Sequence, residues 1–323
     1  MKQRTKLPPA LGQTLAVAGG LVMPVQARLN GALAQHLQDN IAAALVSFVT
    51  GLVVAAVLCA ALPRGRAGVA RIVPALRLRQ IRPWYMLCGL VGAYYVLSQA
   101  ATIGVLGVAL FTVAVVAGSS VSGLMTDSIG FGPAGRRRIT PVRLLSVALI
   151  LIAVTWAVSP RFGSGPAAAA VLPLLMPLAA GLLQSPQQGA IGFLAVVYRT
   201  PLASTLVNFL GGTLFLTLAW LAKVLVAGPA AALPGEWWLY LGGPLGCLFV
   251  VLGGLLVKVI GVLQLGLGVI SGQMLGSLVL DLSFPTPGTV VAPETIFGTV
   301  LTLAAVVLAT LPWPAGALRT RAK

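Results

Sequence analysis

Charge is what this chain has least of. Only 8% of its 323 residues are Asp, Glu, Lys or Arg, against roughly a quarter in soluble domains, and the mean hydropathy is +1.00. A chain so poor in charge cannot clothe a water-facing surface, so its solvent over most of its length is lipid. Histidine occurs once, at His36, which excludes a multi-histidine metal site. Cys59, Cys88 and Cys247 lie inside apolar runs without CxxC spacing and read as small hydrophobes. Walker A, GxSxG and HExxH patterns are missing, so ATP hydrolysis and hydrolase chemistry have no residues to rest on. No cofactor and no metal is expected, and the chain is not read as an enzyme.

What is there is a series of long uncharged runs, each near the ~20 residues that cross a bilayer as a helix. In lipid the backbone must satisfy its own polar groups, which selects helices or closed barrels, and runs of this length select helices. Ten spans follow: Leu11 to Leu33, Ile41 to Leu62, Trp84 to Ala101, Ile103 to Met125, Thr140 to Val158, Val171 to Leu194, Leu202 to Ala222, Trp237 to Val257, Val259 to Leu280 and Ile296 to Pro312. Almost nothing separates the third from the fourth or the eighth from the ninth, so each of those pairs is a tight helical hairpin. Lys2, Arg4 and Lys6 before an apolar run imitate a signal peptide, but the repeat described below carries the segment's counterpart deep in the chain, and it reads as a retained first helix.

The net charge of +16 does not point to nucleic acid, because the basic residues are not a patch interleaved with aromatics but sit in loops between apolar runs. Alternating the spans across a membrane puts all but Arg28, Arg161 and Lys223 of the 21 Lys and Arg on one side. By the positive-inside rule that side is the cytoplasm, and both termini lie there. The expected setting is a bacterial inner membrane crossed many times.

The chain also repeats itself. With Gly20 laid on Gly181, Leu21, Gln26, Gly31, Phe48 and Gly51 fall on Leu182, Gln187, Gly192, Phe209 and Gly212 in turn, the Gly31 match being Gly192. With Trp84 laid on Trp238, Gly89, Gly92, Gly118 and Asp127 fall on Gly243, Gly246, Gly272 and Asp281. Two five-helix halves result, 1–158 and 167–323, joined by a linker at 159–166. Five spans per half invert the second half, and the loop charges agree: the Arg-rich stretch from Pro63 to Pro83 corresponds to Val224 to Glu236, which has no Lys or Arg. Inverted repeats are a usual build of secondary transporters, with substrate held near the midplane.

Gln26 and Asn30 in QARLN, Ser47-Phe48 with Gly51, Trp84 with Gly89 and Gly92, GSSVSGLMTD from Gly118 to Asp127, and GQMLGSLVLD from Gly272 to Asp281 carry a family resemblance. Through them the chain resembles the drug/metabolite transporter (DMT) superfamily and, within it, the YdcZ-type inner-membrane exporters related to EamA-like proteins. The resemblance implies an all-α membrane protein of ten helices and gradient-driven export of small metabolites or drugs by alternating access. The other reading is a non-transporting assembly or regulatory component that docks through its basic cytoplasmic loops. The partners are the lipid bilayer and a small-molecule substrate, in a monomer or homodimer.

Candidate substrate-binding residues are Gln26 and Asn30, which share one face of the first helix, Gln187 and Gln188 beside Pro186 in the sixth, and Tyr94 and Tyr95. The amides either line a central cavity or bond one helix to another, at about 1 kcal/mol each. The tyrosines either face a ligand or fill the core. Asp127 and Asp281, matched in the repeat, are candidates for ion coupling. The alternative is that they stay hydrated at helix ends or pair with an arginine such as Arg136. Arg28 near the outer end of the first helix either binds an anion or snorkels to headgroups.

Overall fold

The computed structural model describes residues 9–131, 136, 139–162, 167–285 and 292–308, and no strand occurs among them. The first half runs α1 (Pro9–Leu37), α2 (Asn40–Ala61), two short helices α3 (Pro63–Val69) and α4 (Ile72–Arg77), a 3-10 turn over Pro83–Leu87, α5 (Cys88–Ile129) and α6 (Pro141–Phe162). The second runs α7 (Ala167–Val197), α8 (Pro201–Ala227), a 3-10 turn over Trp237–Leu241, α9 (Gly242–Ser283) and α10 (Pro293–Leu308). Among the described residues, the helical stretches Ala10–Leu37, Asn40–Ala61, Pro83–Ile129 and Pro201–Ala227 are long and apolar enough to cross a membrane.

Several boundaries differ from those expected. The first helix continues a turn past Leu33 to Leu37, and α6 passes Val158 to reach Phe162, shortening the linker. Pro63 to Pro83, expected as a loop, folds into α3 and α4. The tenth span's end at Pro312, the rest of the linker and the basic termini lie outside the described residues.

The turns between the first two helices of each half have the same chemistry. Gln38 takes a left-handed backbone (φ 52°) and so does Arg199 (φ 60°). The next residue then caps a helix: Asp39 accepts from the N–H groups of Ile41 and Ala42, and Thr200 accepts from Leu202 N–H. These are side-chain acceptors for donors that a helix start leaves unpaired. Asp39 also pairs with Lys223 Nζ at 2.9 Å, near the far end of α8.

Burial alone raises the Asp39 carboxyl, but the Ala42 N–H, the Lys223 ammonium and the Ile41 N–H outweigh it and hold the group below the usual aspartate range. A carboxyl depressed by folding adds stability above its unfolded pKa and gives it up as pH falls through the lower, folded value. Melts in detergent are therefore expected to show Tm dropping below about pH 4. Asp39→Asn is expected to lower Tm at pH 7 and to flatten that drop.

The break in the third-to-fourth hairpin falls at Gly107, not between Ala101 and Ile103. Thr102 returns its hydroxyl proton to Ser98 O at 2.7 Å, so the helix carries on through the expected break. Gly107 has φ 77° and ψ 170°, a conformation that L side chains resist. The chain doubles back there: Gly92 lies beside Gln187 and Gly123 beside Ser185, so residues far apart on α5 meet almost the same level of α7. The long α9 doubles back likewise, because Gly246 meets Gln26 while Gly276 meets Leu21 and Pro24.

The packing repeats with the sequence. Gly118 sits against the backbone of Leu178, Gly181 and Leu182, and Gly272 against that of Val17, Gly20 and Leu21. In other words α7 lies along the α5 hairpin of the first half, and α1 lies along the α9 hairpin of the second. Between them α2 and α8 cross at Phe48 and Phe209, whose ring centroids are 5.1 Å apart. Asp39 before α2 meets Lys223 late in α8, whereas Gly68 after α2 meets Thr200 before α8, so these two corresponding helices run antiparallel. So do α6 and α10: Thr295 at the start of α10 donates to Ala157 O near the end of α6.

Candidate substrate site

The interior of an apolar bundle has few places where polar side chains gather, and here they gather on both sides of the Phe48–Phe209 pair. Gln26 and Asn30 are one turn apart on α1, and the glycines of early α9 make room for them. The Gln26 amide lies against Gly246, and the Asn30 side chain, together with Ser47 of α2, lies against Gly242. Asn30 Nδ2 donates to Gln99 Oε1 of α5 at 2.7 Å. Gln26 is 4% exposed, and Asn30 and Gln99 are 0% exposed. One turn before Gln99 is Tyr95, buried and set edge-on to Phe111.

The corresponding place in the other half holds Gln187, which lies against Gly92. Its Nε2 donates to Cys88 O and to Asn208 Oδ1, both at 3.0 Å. The two sides are not equivalent. Asn208 stands where the first half has Ser47, Ile191 where it has Asn30, and Gly253 where it has Gln99.

Four of the six residues expected from the sequence to bind substrate thus stand in the buried core: Gln26, Asn30, Gln187 and Tyr95. The other two stand apart, because neighbours on a helix point about 100° from each other. Gln188 is exposed, and half-buried Tyr94 turns to α7, where it donates to Met176 O at 3.4 Å. Gln99, Ser98 and Asn208 were not singled out from the sequence. The signal for each was a polar side chain inside an apolar run.

Asp281 is also buried, but its two oxygens accept the backbone N–H groups of Val108 (3.1 Å) and Ala109 (2.6 Å). It caps the return limb of the α5 hairpin from across the molecule, close enough to Arg28 for the charges to interact. Arg28 also donates to Pro285 O at 3.0 Å. Asp127 is part-buried in the last turn of α5. Among the described residues no group of His, Cys, Asp and Glu is placed to hold a metal.

Two regions, 11–156 and 172–308, match the sequence profile of the family described as "Putative inner membrane exporter, YdcZ". The chain belongs to the YdcZ family. As a YdcZ protein it is a helical membrane protein of an exporter family, matched once in each half of its length. No curated protein matches it. A solved structure titled "Crystal structure of protein" is similar over 94% of this chain and 96% of its own, with 19% identity and a TM-score of 0.57. At that identity the likeness concerns the fold alone.

Proposed function

We propose that this YdcZ protein is a gradient-driven exporter of small molecules that works by alternating access. Its ten spans are two inverted five-helix repeats, 1–158 and 167–323, about the linker 159–166. The observation that carries the reading is the buried amide cluster at the meeting of the two halves, where Gln26 and Asn30 of one half lie against Gly246 and Gly242 of the other. Inverted-repeat transporters hold substrate at such a place and rock one half against the other around it. Asp281 ties the tip of one hairpin to the opposite half, a contact that such rocking has to break.

Two measurements test the reading. In the first, single cysteines near Arg71 and Pro234, in a background where Cys59, Cys88 and Cys247 are serine, are labelled with an impermeant reagent in intact cells. Label is expected at Pro234 and, only after lysis, at Arg71; modification of both from one side would overturn the inversion. In the second, inverted vesicles carrying the protein are expected to accumulate solutes from a metabolite and drug panel when a proton gradient is imposed. Failure across the panel would favour a docking component, for which exposed Arg64, Arg66, Arg77, Arg79 and Arg82 around α3 and α4 offer a surface.

A further inference from the structure

The two sides of the amide core differ in how well they are satisfied. Gln26 Oε1, Asn30 Oδ1, Ser47 Oγ, Ser98 Oγ and Gln99 Nε2 are all buried without a hydrogen-bond partner. Gln26, Asn30, Ser47 and Gln99 lie on three helices around one place beside early α9. Across the phenylalanine pair, Gln187 is bonded to Cys88 and Asn208, and neither amide keeps a buried unpaired atom. An unpaired buried polar atom is costly to keep, and a group of them on one side of an otherwise matched pair calls for an occupant.

The cluster's chemistry restricts that occupant. Two amide oxygens accept, one amide nitrogen donates, and the Ser47 hydroxyl does either. The cluster's own side chains, two glutamines, an asparagine and a serine, carry no formal charge. Arg28 is engaged at Pro285 O, and Asp281 at the Val108 and Ala109 N–H groups. An ion entering here would lose its hydration, and the cluster itself offers no counter-charge to replace it. Buried Tyr95 stands one turn from Gln99, so aromatic surface flanks the polar atoms.

We propose, resting on the exporter reading above, that this first-half cluster is the seat of the substrate and that it selects uncharged molecules. Such a molecule carries at least two N–H or O–H donors, for Gln26 Oε1 and Asn30 Oδ1, and one acceptor for Gln99 Nε2. Carboxamides, nucleosides and polyols share that chemistry.

The test uses the full chain in detergent and matched probes that differ by one ionised group: nicotinamide against nicotinate, thymidine against thymidine 5′-monophosphate, and glucose against glucosamine. At saturation at least one uncharged member is expected to raise Tm by about 2 °C or more while its charged partner does not. The shift is expected to shrink in Ser47→Ala, a mild change, and to vanish in the paired Asn30→Leu, Gln99→Leu variant. Gln188→Ala, outside the cluster, is expected to keep it. The proposal is overturned if a charged member stabilises at least as well and loses that effect in the same variants, if the uncharged shift ignores the variants, or if no member shifts Tm. Flux of the same probes into proteoliposomes separates this proposal from the reading beneath it. Transport of only charged probes defeats the uncharged seat and leaves the exporter standing; binding of an uncharged probe with no flux of any probe does the reverse.

Discussion

Gly272→Ala is expected to leave little folded protein to purify. A Cβ on Gly272 would press into the Val17 carbonyl and come within 2.9 Å of Gly20 Cα and 3.0 Å of Leu21 N, all backbone atoms that no rotamer change can move aside. The helices α1 and α9 would have to separate along their length, giving up the dispersion contacts and close approach that hold membrane helices together. Overpacking of this kind costs about 1–3 kcal/mol and occasionally more, and a contact with main chain belongs at the upper end. Gly118→Ala, its repeat counterpart against α7, is expected to do equal damage. Gly253→Ala, with open space around it, is expected to leave folding unchanged or slightly improved. Size-exclusion profiles of the three variants check this, and a monodisperse Gly272→Ala protein with the parent's Tm would contradict it.

Asp281→Leu is expected to be nearly as severe, for an electrostatic reason. The carboxylate satisfies two N–H groups at the start of a helix, where the aligned peptide dipoles add to the attraction. Its removal strands both donors in a buried place, at a cost of about 3 kcal/mol. Asp281→Asn keeps one acceptor and is expected to lose roughly half as much. If Asp281 also carried a coupling ion, Asp281→Asn would fold and bind solute but no longer respond to a pH gradient. Stability in an SDS titration, measured beside gradient-driven flux, separates these two duties.

The residues that betrayed the repeat in the sequence turn out to be those that the packing cannot vary. Gly20 and Gly181, Gly118 and Gly272 are points of backbone contact, Phe48 and Phe209 meet across the middle, and Trp84 and Trp238 stand in matching 3-10 turns. Fold class was legible for the same reason that composition was: lipid permits few backbone solutions. The buried polar core was legible at Gln26, Asn30 and Gln187, which are conspicuous amides in apolar helices. What stayed hidden depended on knowing which face of each helix meets protein and which meets lipid, and a helix apolar all round does not say. Gln188 and Tyr94 stand outside the polar core and Gln99 inside it, which sequence alone does not distinguish. The turn at Gly107 was hidden too, since one glycine among many in these helices carries no mark of its backbone angles.

That α1 lies along α9, and α7 along α5, bears on how the protein is made. Helix α1 has its main partner more than two hundred residues further along the chain, so it must wait while α2 to α8 are made. At ~5–20 residues per second that interval is on the order of ten seconds or more. For that time Gln26 and Asn30 have no glycine-lined wall to rest against, and the half-molecule is open to the quality-control machinery of the membrane. Helix α7 has no such wait, because the α5 hairpin is already inserted when it arrives. Two halves alike in sequence and packing therefore have unlike lives during synthesis, and the first of them depends on the second to finish.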